Sequence, residues 1–198
     1  DEKKYKIAST VYAKEGVYCH CYYEDIEMNE DFTDYTLNDY WDTFYYVPYD
    51  GSGAKELCPE LKELTSYRGD ELPDIWILSM TEEGIYYENK DAKKVECCRY
   101  DGKKETVFEL PEGYKNQQFN GISGGKLLMK LMAEDGTNKI AGLDLKTGER
   151  LLCDNPDVSN YYGVCDEVFW KYCRSEEGSR RELWEYADIF AEDGNMLF

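Results

Sequence analysis

The sequence predicts an all-β fold, a β-propeller-like domain of about four blades with four antiparallel strands each. Three marks recur along the 198 residues at matching intervals. A Gly or Asp opens an apolar, aromatic run four times, an Asp-containing turn follows each run, and a proline follows three of the turns. Self-similarity at a period of roughly 40 to 50 residues indicates a stacked or radial repeat architecture.

The three marks predict one domain, 1–198, built from four units. The openings are Gly16, Gly84, Gly125 and Asp166, the turn residues are Asp50, Asp101, Asp144 and Asp188, and the prolines are Pro59, Pro111 and Pro156. The first interval between openings is 68 residues and the next two are 41, so the first unit carries an insertion of about 25 residues. The predicted units are about 5–58, 72–110, 117–153 and 157–198, with the insertion at about 24–44.

Each unit reads as short strands joined by tight turns. A first strand precedes each opening, in KIASTVYA, DIWILSM, QFNGIS and VSNYYG. The later runs, such as IYYENK, VECCRYDGKKETVFEL and IAGLDLKTGERLL, are rich in β-branched and aromatic residues and are separated by Asp-Gly or Thr-Gly pairs, which favour hairpins. Four short antiparallel strands per unit are typical of a propeller blade.

Three segments also carry helix signals. The runs 126–134 (KLLMKLMAE) and 179–192 (SRRELWEYADIFAE) have apolar residues at both helical and strand spacing, which periodicity alone does not separate. Alignment with the other units favours strands in both. Residues 59–66 (PELKELTS) are expected to form a short helix between units, with Pro59 in its first turn.

Composition excludes several classes of partner. The formal charge is −19, from 42 acidic and 23 basic residues, and such a field repels nucleic acid and anionic membrane surfaces. An aromatic content of 15% argues against a disordered acidic tail. No run of consecutive apolar residues is long enough to form a transmembrane helix. The chain starts at Asp1 with a polar segment that has no signal-peptide core. This start is compatible with an exported protein whose leader peptide has been removed and, equally, with an arbitrary N-terminal boundary. We expect an extracytoplasmic location.

The chain has eight cysteines, which could form disulfides or remain buried free thiols, and the sequence does not decide between the two. Cys58 and Cys153 occupy the same place in two units and are expected in the core. Cys19-His20-Cys21 suggests a metal site, but alternate side chains of a strand face opposite sides, so these three residues do not converge on one ion.

The segment from Cys21 to Ala54 has no Lys or Arg and nine carboxylates. Asp31, Asp34 and Asp39 are the candidate ligands of a calcium ion, although the spacing is not that of an EF-hand. Aromatic residues accompany the acids, and a loop of this kind resembles a recognition surface for sugars or peptides. The candidate ligand-binding residues are Tyr40, Trp41, Asp42 and Tyr45.

Enzymatic motifs are few. Residues 121–125 spell the G-x-S-x-G string of a nucleophile elbow, but that motif needs a following helix and a later His, and the only His is His20. The string is therefore expected to be a turn. A single His also removes conventional Ser-His and Cys-His catalysis, which leaves paired carboxylates as the remaining enzymatic chemistry.

The repeats also resemble a known type of protein. Units such as GIYYENKDAKKVECCRYDGKKETVFEL and GKLLMKLMAEDGTNKIAGLDLKTGERLL resemble the repeats of bacterial exported β-propeller proteins of unknown function, which are loosely similar to YWTD propellers and TolB-like propellers. The resemblance covers 75–153 well and 5–58 and 158–198 more loosely. It implies a rigid scaffold that binds something on one face, often anchored outside the cell, and it carries over no catalytic residue.

Three hypotheses for function follow. The leading one is a non-enzymatic, extracytoplasmic binding or protein-interaction module whose ligand is a glycan, a peptide or a protein, secreted or held by a lipid anchor at the cell surface. The second is a carbohydrate-active hydrolase with carboxylates at the propeller mouth. The third is a structural subunit of a cell-surface assembly. The ligand, the oligomeric state and the closure of the ring stay open.

Overall fold

A computed structural model shows an all-β protein of antiparallel sheets. It describes residues 4–30, 34–69, 72–89, 92–123, 125–148, 150–153, 161–165, 168–173 and 186–190. Within these residues the chain forms one short helix, α1 (Leu61–Leu64), and sixteen strands. No described helix has the length and apolar character needed to cross a membrane.

The strands form four sheets, each built from strands that follow one another in the chain. The first sheet contains β1 (Lys6–Tyr12), β2 (Gly16–Met28), β3 (Tyr35–Pro48), β4 (Lys55–Leu57) and β5 (Tyr67–Arg68). The second contains β6 (Ile75–Met80), β7 (Gly84–Asn89), β8 (Lys94–Arg99) and β9 (Lys104–Glu109). The third contains β10 (Tyr114–Ser123), β11 (Lys126–Ala133), β12 (Asn138–Asp144) and β13 (Arg150–Cys153). The fourth contains β14 (Tyr161–Cys165), β15 (Val168–Cys173) and β16 (Tyr186–Phe190).

The chain divides into two compact units, Asp1–Phe108 and Glu109–Phe198. In the first unit the first two sheets pack together through one core. Phe44 and Leu57 of the first sheet and Leu61 of α1 meet Ile85 and Tyr87 of the second. All five side chains are buried, so apolar burial, at roughly 25 cal/mol per Å², holds this unit together.

In the second unit β11 shows why the ambiguous segment 126–134 is a strand. Leu127, Met129 and Leu131 are buried and alternate with half-buried Lys126 and Lys130, which is the period of two that a strand imposes. The strand prediction for 126–134 is therefore confirmed. Residues 186–190 of the second ambiguous segment form β16, and the rest of that segment lies outside the described residues.

The glycines that open the units are needed for two different physical reasons. A Cβ on Gly16 would lie 2.7 Å from the carbonyl oxygen of Val47, and a Cβ on Gly84 would lie 2.7 Å from that of Cys98. Both positions therefore need glycine because a neighbouring strand approaches closely. Gly125 meets nothing nearby but has a φ of +75°, a conformation that glycine adopts without strain.

The turn aspartates act through their side chains. The carboxylates of Asp50, Asp101 and Asp144 each accept the backbone N–H two residues further on, at 2.8, 3.1 and 2.9 Å. This is the Asx turn, in which a side chain replaces part of the turn's backbone bonding. The pKa of all three carboxyl groups is lowered, first by hydrogen bonds from the Ser52 side chain, the Lys103 side chain and the Thr147 N–H, respectively, and next by these N–H donors.

Two turn predictions differ from the structure. Asp188 lies inside β16, opposite Lys171, and not in a turn. Gly121, Ile122 and Ser123 close the strand β10, Gly124 lies outside the described residues, and Gly125 is in a turn that leads into β11. A strand and no helix follows that turn, so residues 121–125 lack the strand-to-helix geometry of a nucleophile elbow. The short helix expected in 59–66 is α1.

Candidate functional site

The long hairpin of β2 and β3 extends beyond the rest of its sheet. The two strands pair from Gly16–Pro48 to Met28–Tyr35, whereas β1 reaches only Tyr22 and β5 only Asp39. We call residues 25–28 and 35–39 the arm; it is a two-stranded ribbon beyond Asp39, where Arg68 of β5 still pairs with β3. At its end the Asn29 N–H donates to the carbonyl of Asp34 at 3.1 Å.

Residues 24–28 and 35–44 are therefore strand, so the interpretation of the segment 24–44 as a loop is wrong, whereas its interpretation as an insertion stays a prediction. The residues explain the difference. Ile26 and Met28 on β2, and Tyr35 and Leu37 on β3, alternate with polar residues at a period of two, which favours a strand with unlike faces. The acidic composition of the segment obscured this alternation.

One face of the arm is apolar and open to solvent. Ile26 lies directly opposite Leu37, and Met28 lies directly opposite Tyr35. Ile26, Met28 and Tyr35 are 38%, 45% and 61% exposed, and Leu37 is half-buried. A two-stranded ribbon has no core of its own that such residues could fill.

The opposite face of the arm is acidic, because Asp25 and Glu27 alternate with Ile26 and Met28 along β2. Asp25 and Asp39 lie directly opposite each other, and Glu27, Glu30 and Asp34 are exposed. Like charges at opposed positions destabilise a sheet. The pKa of the nearby Tyr23 is raised, first by burial and then by the charges of Asp25 and Asp39.

Two cations of neighbouring strands lie near the arm, and both contact other acids. Lys6 of β1 forms an ion pair with Glu24. Arg68 of β5 lies opposite Asp39 in the sheet and approaches Glu63 at 3.6 Å. The arm itself has no Lys or Arg, so its field is negative.

The four predicted ligand-binding residues do not form one surface. Tyr40 and Asp42 point to one face of β3, and Trp41 and Tyr45 point to the other, because successive side chains of a strand alternate. Trp41 is 6% exposed and Asp42 is 5% exposed. The structure therefore places these residues at the base of the arm, where two of them are buried in the sheet.

A hydrogen-bonded network on the first of these faces anchors the base of the arm. One carboxylate oxygen of Asp42 accepts from His20 Nε2 at 2.7 Å and from the Tyr40 hydroxyl at 2.9 Å. The backbone N–H of Asp42 donates to Thr65 Oγ1 at 2.9 Å. The His20 ring also stacks on Phe44, with 4.8 Å between the centroids. Burial, and then the charge of Asp42, raise the pKa of Tyr40.

The opposite face is held by aromatic stacking. The rings of Tyr23 and Trp41 stack with 4.2 Å between their centroids, and Lys62 Nζ of α1 lies 5.1 Å from the centre of the Trp41 ring. Such contacts add about 0.5–1.5 kcal/mol beyond apolar burial. The base of the arm is thus fixed from both faces.

The predicted calcium ligands are also separated. Asp34 lies at the end of the arm, where its carboxylate accepts the Tyr35 N–H at 2.8 Å. Asp39 lies five residues further along β3, which at about 3.4 Å per residue is roughly 17 Å away. Asp31 lies outside the described residues. Asp34 and Asp39 therefore do not bind the same ion.

The cysteines are thiols wherever the structure describes their side chains. Cys19, Cys21, Cys58, Cys97 and Cys98 are free. His20 lies on the opposite face of β2 from Cys19 and Cys21, since it packs on Phe44 while Cys19 lies opposite Tyr45. The side chain of Cys153 lies outside the described residues.

Sequence inspection missed a second cluster, formed by Cys58, Glu60 and Cys98. One ligand atom of each lies within 4.8 Å of the other two, and Cys98 Sγ is 3.3 Å from Glu60 Oε1. A hydrogen bond with Cys98 lowers the pKa of Cys58, and the same bond together with burial raises the pKa of Cys98. About forty residues separate Cys98 from the other two, so no local motif marks the cluster.

Comparison with known proteins gives no match. No protein-family model, no curated protein and no solved structure matches the chain.

Proposed function

We propose that this chain is a non-enzymatic protein-interaction module, and that its arm binds a basic segment of a partner protein that also carries apolar side chains. The observation that carries the proposal is the exposed apolar face of Ile26, Met28, Tyr35 and Leu37 on an acidic, two-stranded ribbon. Exposed apolar surface rimmed by polar residues is typical of interaction sites.

The chemistry of the arm selects the class of partner. Complementary charge steers association and suppresses partners of the wrong sign, so the opposed pair Asp25 and Asp39 favours Lys or Arg. A partner cation between these two carboxylates relieves their mutual repulsion. Ile26 and Tyr35 lie on the other face of the ribbon, where apolar side chains of a partner strand added along the ribbon's edge cover them. An extended segment in which basic and apolar residues alternate meets both requirements.

The proposed scaffold is a β-propeller of about four blades, located outside the cytoplasm. Four antiparallel sheets of consecutive strands support the propeller architecture. So does the burial of both faces of β7 and β8, with Ile85 and Tyr87 on one face and Tyr86, Val95 and Cys97 on the other. Strands buried on both faces are expected for the inner strands of a propeller blade.

A carbohydrate-active hydrolase receives less support. A catalytic acid in such enzymes needs a raised pKa. The described carboxyl groups with shifted pKa values are Asp50, Asp101, Asp135 and Asp144, and all four are lowered by hydrogen bonds in turns. A lowered pKa is typical of a carboxylate that stabilises a turn and is opposite to the shift that a catalytic acid needs.

The proposal is tested with synthetic peptides of defined charge. A labelled peptide of alternating Lys and Val is titrated with the protein and followed by fluorescence anisotropy, beside a matched peptide of alternating Glu and Val. We expect saturable binding of the Lys peptide alone, weakened by added salt because exposed charges are screened. Binding that is equal for both peptides, or absent for the Lys peptide, contradicts the proposal.

Variants assign the binding to the arm. We expect Asp25→Asn with Asp39→Asn, and separately Tyr35→Ser, to weaken binding by about tenfold or more, which corresponds to about 1.4 kcal/mol. Tyr12→Ser on β1 is the matched control, because Tyr12 is 74% exposed and lies away from the arm. An equal loss in the control variant means that the arm is not the binding site.

A further inference from the structure

The cluster of Cys58, Glu60 and Cys98 lies where the first two sheets meet. Cys58 and Glu60 belong to the turn between β4 and α1, and Cys98 belongs to β8. Cys58 and Cys98 are buried in the core shared by the two sheets, while Glu60 is exposed. Two thiols and one carboxylate thus face one another at the edge of the core, with solvent access on the side of Glu60.

We propose that Cys58, Glu60 and Cys98 bind a divalent transition-metal ion, for which zinc(II) is the best fit, with a water molecule in the fourth position. The proposal is independent of the arm. Cysteine sulfur and carboxylate oxygen are both ordinary zinc ligands. The hard cation calcium prefers oxygen ligands alone.

The distances fit a tetrahedral ion without rearrangement of the backbone. Zinc binds sulfur at about 2.3 Å and carboxylate oxygen at about 2.0–2.2 Å, so sulfur and oxygen ligands of one ion lie roughly 3.5 Å apart. Cys98 Sγ and Glu60 Oε1 are 3.3 Å apart. All three ligand atoms lie within 4.8 Å of one another, so one ion between them reaches each through small rotations of the side chains.

The backbone of Cys58 provides a second, independent observation. Its φ is +43°, a left-handed conformation that is uncommon for any residue except glycine and, less often, Asn or Asp. Such conformations cost of order 1–3 kcal/mol and concentrate at functional sites. The turn is fixed by the hydrogen bond from the Leu61 N–H to the Cys58 carbonyl at 3.0 Å, and it holds Cys58 Sγ 3.7 Å from the carbonyl oxygen of Cys98.

The role that follows is a cross-link. An ion held by Cys58 and Glu60 on one side and by Cys98 on the other joins the turn before α1 to β8, and so joins the first sheet to the second. Because Cys98 is 38 residues from Glu60 and meets Cys58 and Glu60 only in the folded chain, the binding energy of the ion adds to the stability of this unit.

Cobalt(II) substitution tests the site directly. The full chain, purified under reducing conditions and freed of metal, is titrated with cobalt(II), and thiolate-to-cobalt charge transfer is followed in the near ultraviolet. We expect saturation at one ion per chain, displacement of cobalt by zinc, and a rise in the midpoint temperature of unfolding with zinc. Absence of the charge-transfer band in the folded wild-type chain overturns the proposal.

Two variants and one matched control assign the ligands. Cys98→Ser is expected to abolish the charge-transfer band, and Glu60→Gln, at an exposed position, is expected to weaken zinc binding by about tenfold or more. Cys97→Ser is the control, because Cys97 adjoins Cys98 in sequence and points to the opposite face of β8. Equal loss of the band in Cys97→Ser, unchanged zinc affinity in Glu60→Gln, or a Cys58–Cys98 disulfide in place of bound metal in the reduced preparation contradicts the assignment.

Discussion

At the scale of single residues, the base of the arm depends on one buried carboxylate. Asp42 is 5% exposed and accepts hydrogen bonds from both His20 and Tyr40. Hydrogen bonds to charged groups contribute about 1.5–3 kcal/mol each, and removing one partner leaves the others without a bond. The only histidine of the chain is thus a structural donor to Asp42.

The first prediction concerns this network. Asp42→Ala is expected to lower the free energy of unfolding by about 1–3 kcal/mol, because His20 and Tyr40 lose their shared acceptor. Urea denaturation followed by circular dichroism measures the change. Asp25→Ala, at an exposed carboxylate of the arm, serves as the control and is expected to change stability by less than about 0.5 kcal/mol. Equal stability of Asp42→Ala and the wild type contradicts this role of Asp42.

The second prediction concerns pH. Burial, and next the proximity of Cys97, raise the pKa of Tyr86 from 10.0 to about 12. Between these values the unfolded chain has lost the phenol proton and the folded chain retains it, so the unfolded state binds fewer protons and stability falls as pH rises. The contribution of Tyr86 to stability is expected to be complete below about pH 10 and to be lost towards about pH 12, so the urea midpoint is expected to fall over this interval.

Tyr86→Phe provides the control for this effect. The variant lacks the titrating group, so its urea midpoint is expected to fall less steeply over the same interval. The pKa values of Tyr40, Tyr87 and Tyr100 are raised as well, so part of the slope persists in the variant. A midpoint that rises with pH in this interval is inconsistent with the burial of these phenols.

At the scale of elements, strands of the same unit differ in what surrounds them. The arm is a two-stranded ribbon with an exposed apolar face. In contrast, β7 and β8 are buried on both faces. Regions with few buried apolar contacts open locally at a lower free energy than core strands do. The arm therefore combines exposure with the capacity to adjust to a partner.

Hydrogen exchange tests this difference. Amides of residues 25–28 and 35–38 are expected to exchange orders of magnitude faster than amides of residues 85–88 and 95–98, because the arm opens without the core. Mass spectrometry of peptic fragments compares the two pairs of segments in one sample, so each serves as the reference for the other. Equal protection of the arm and of β7 and β8 would mean that the arm belongs to the core.

At the scale of the whole molecule, charge sets the balance of forces. A formal charge of −19 on 198 residues destabilises the compact state through self-repulsion and favours encounters with basic partners. Added salt screens this repulsion. We therefore expect the midpoint temperature of unfolding to rise with sodium chloride, as measured by calorimetry. A midpoint that falls with salt would mean that favourable ion pairs outweigh the repulsion.

The sequence predicted the local features well, because they depend on neighbouring residues. Alternation in β11 indicated a strand, and Asp50, Asp101 and Asp144 marked turns through bonds to residues two positions further on. Asp188 carried the same letter but lies in a strand. The prediction for Asp188 relied on similarity to the other units, whereas its neighbours in the sequence form a strand.

The site was less predictable because its contacts join distant parts of the chain. His20 and Asp42 are 22 residues apart, and Cys58 and Cys98 are 40 residues apart. The segment 24–44 read as a loop because acidic composition outweighed its alternation. Strand alternation, applied to Tyr40, Trp41, Asp42 and Tyr45, separates them into two faces, and that signal was present in the sequence.

The binding of a basic partner segment by the arm is tested most directly by hydrogen exchange in the presence of the peptide of alternating Lys and Val. The account predicts that saturating peptide slows exchange in residues 25–28 and 35–38 and leaves residues 85–88 and 95–98 unchanged, while the peptide of alternating Glu and Val has no effect. Protection that is absent from the arm, or that appears equally in both pairs of segments, would contradict it.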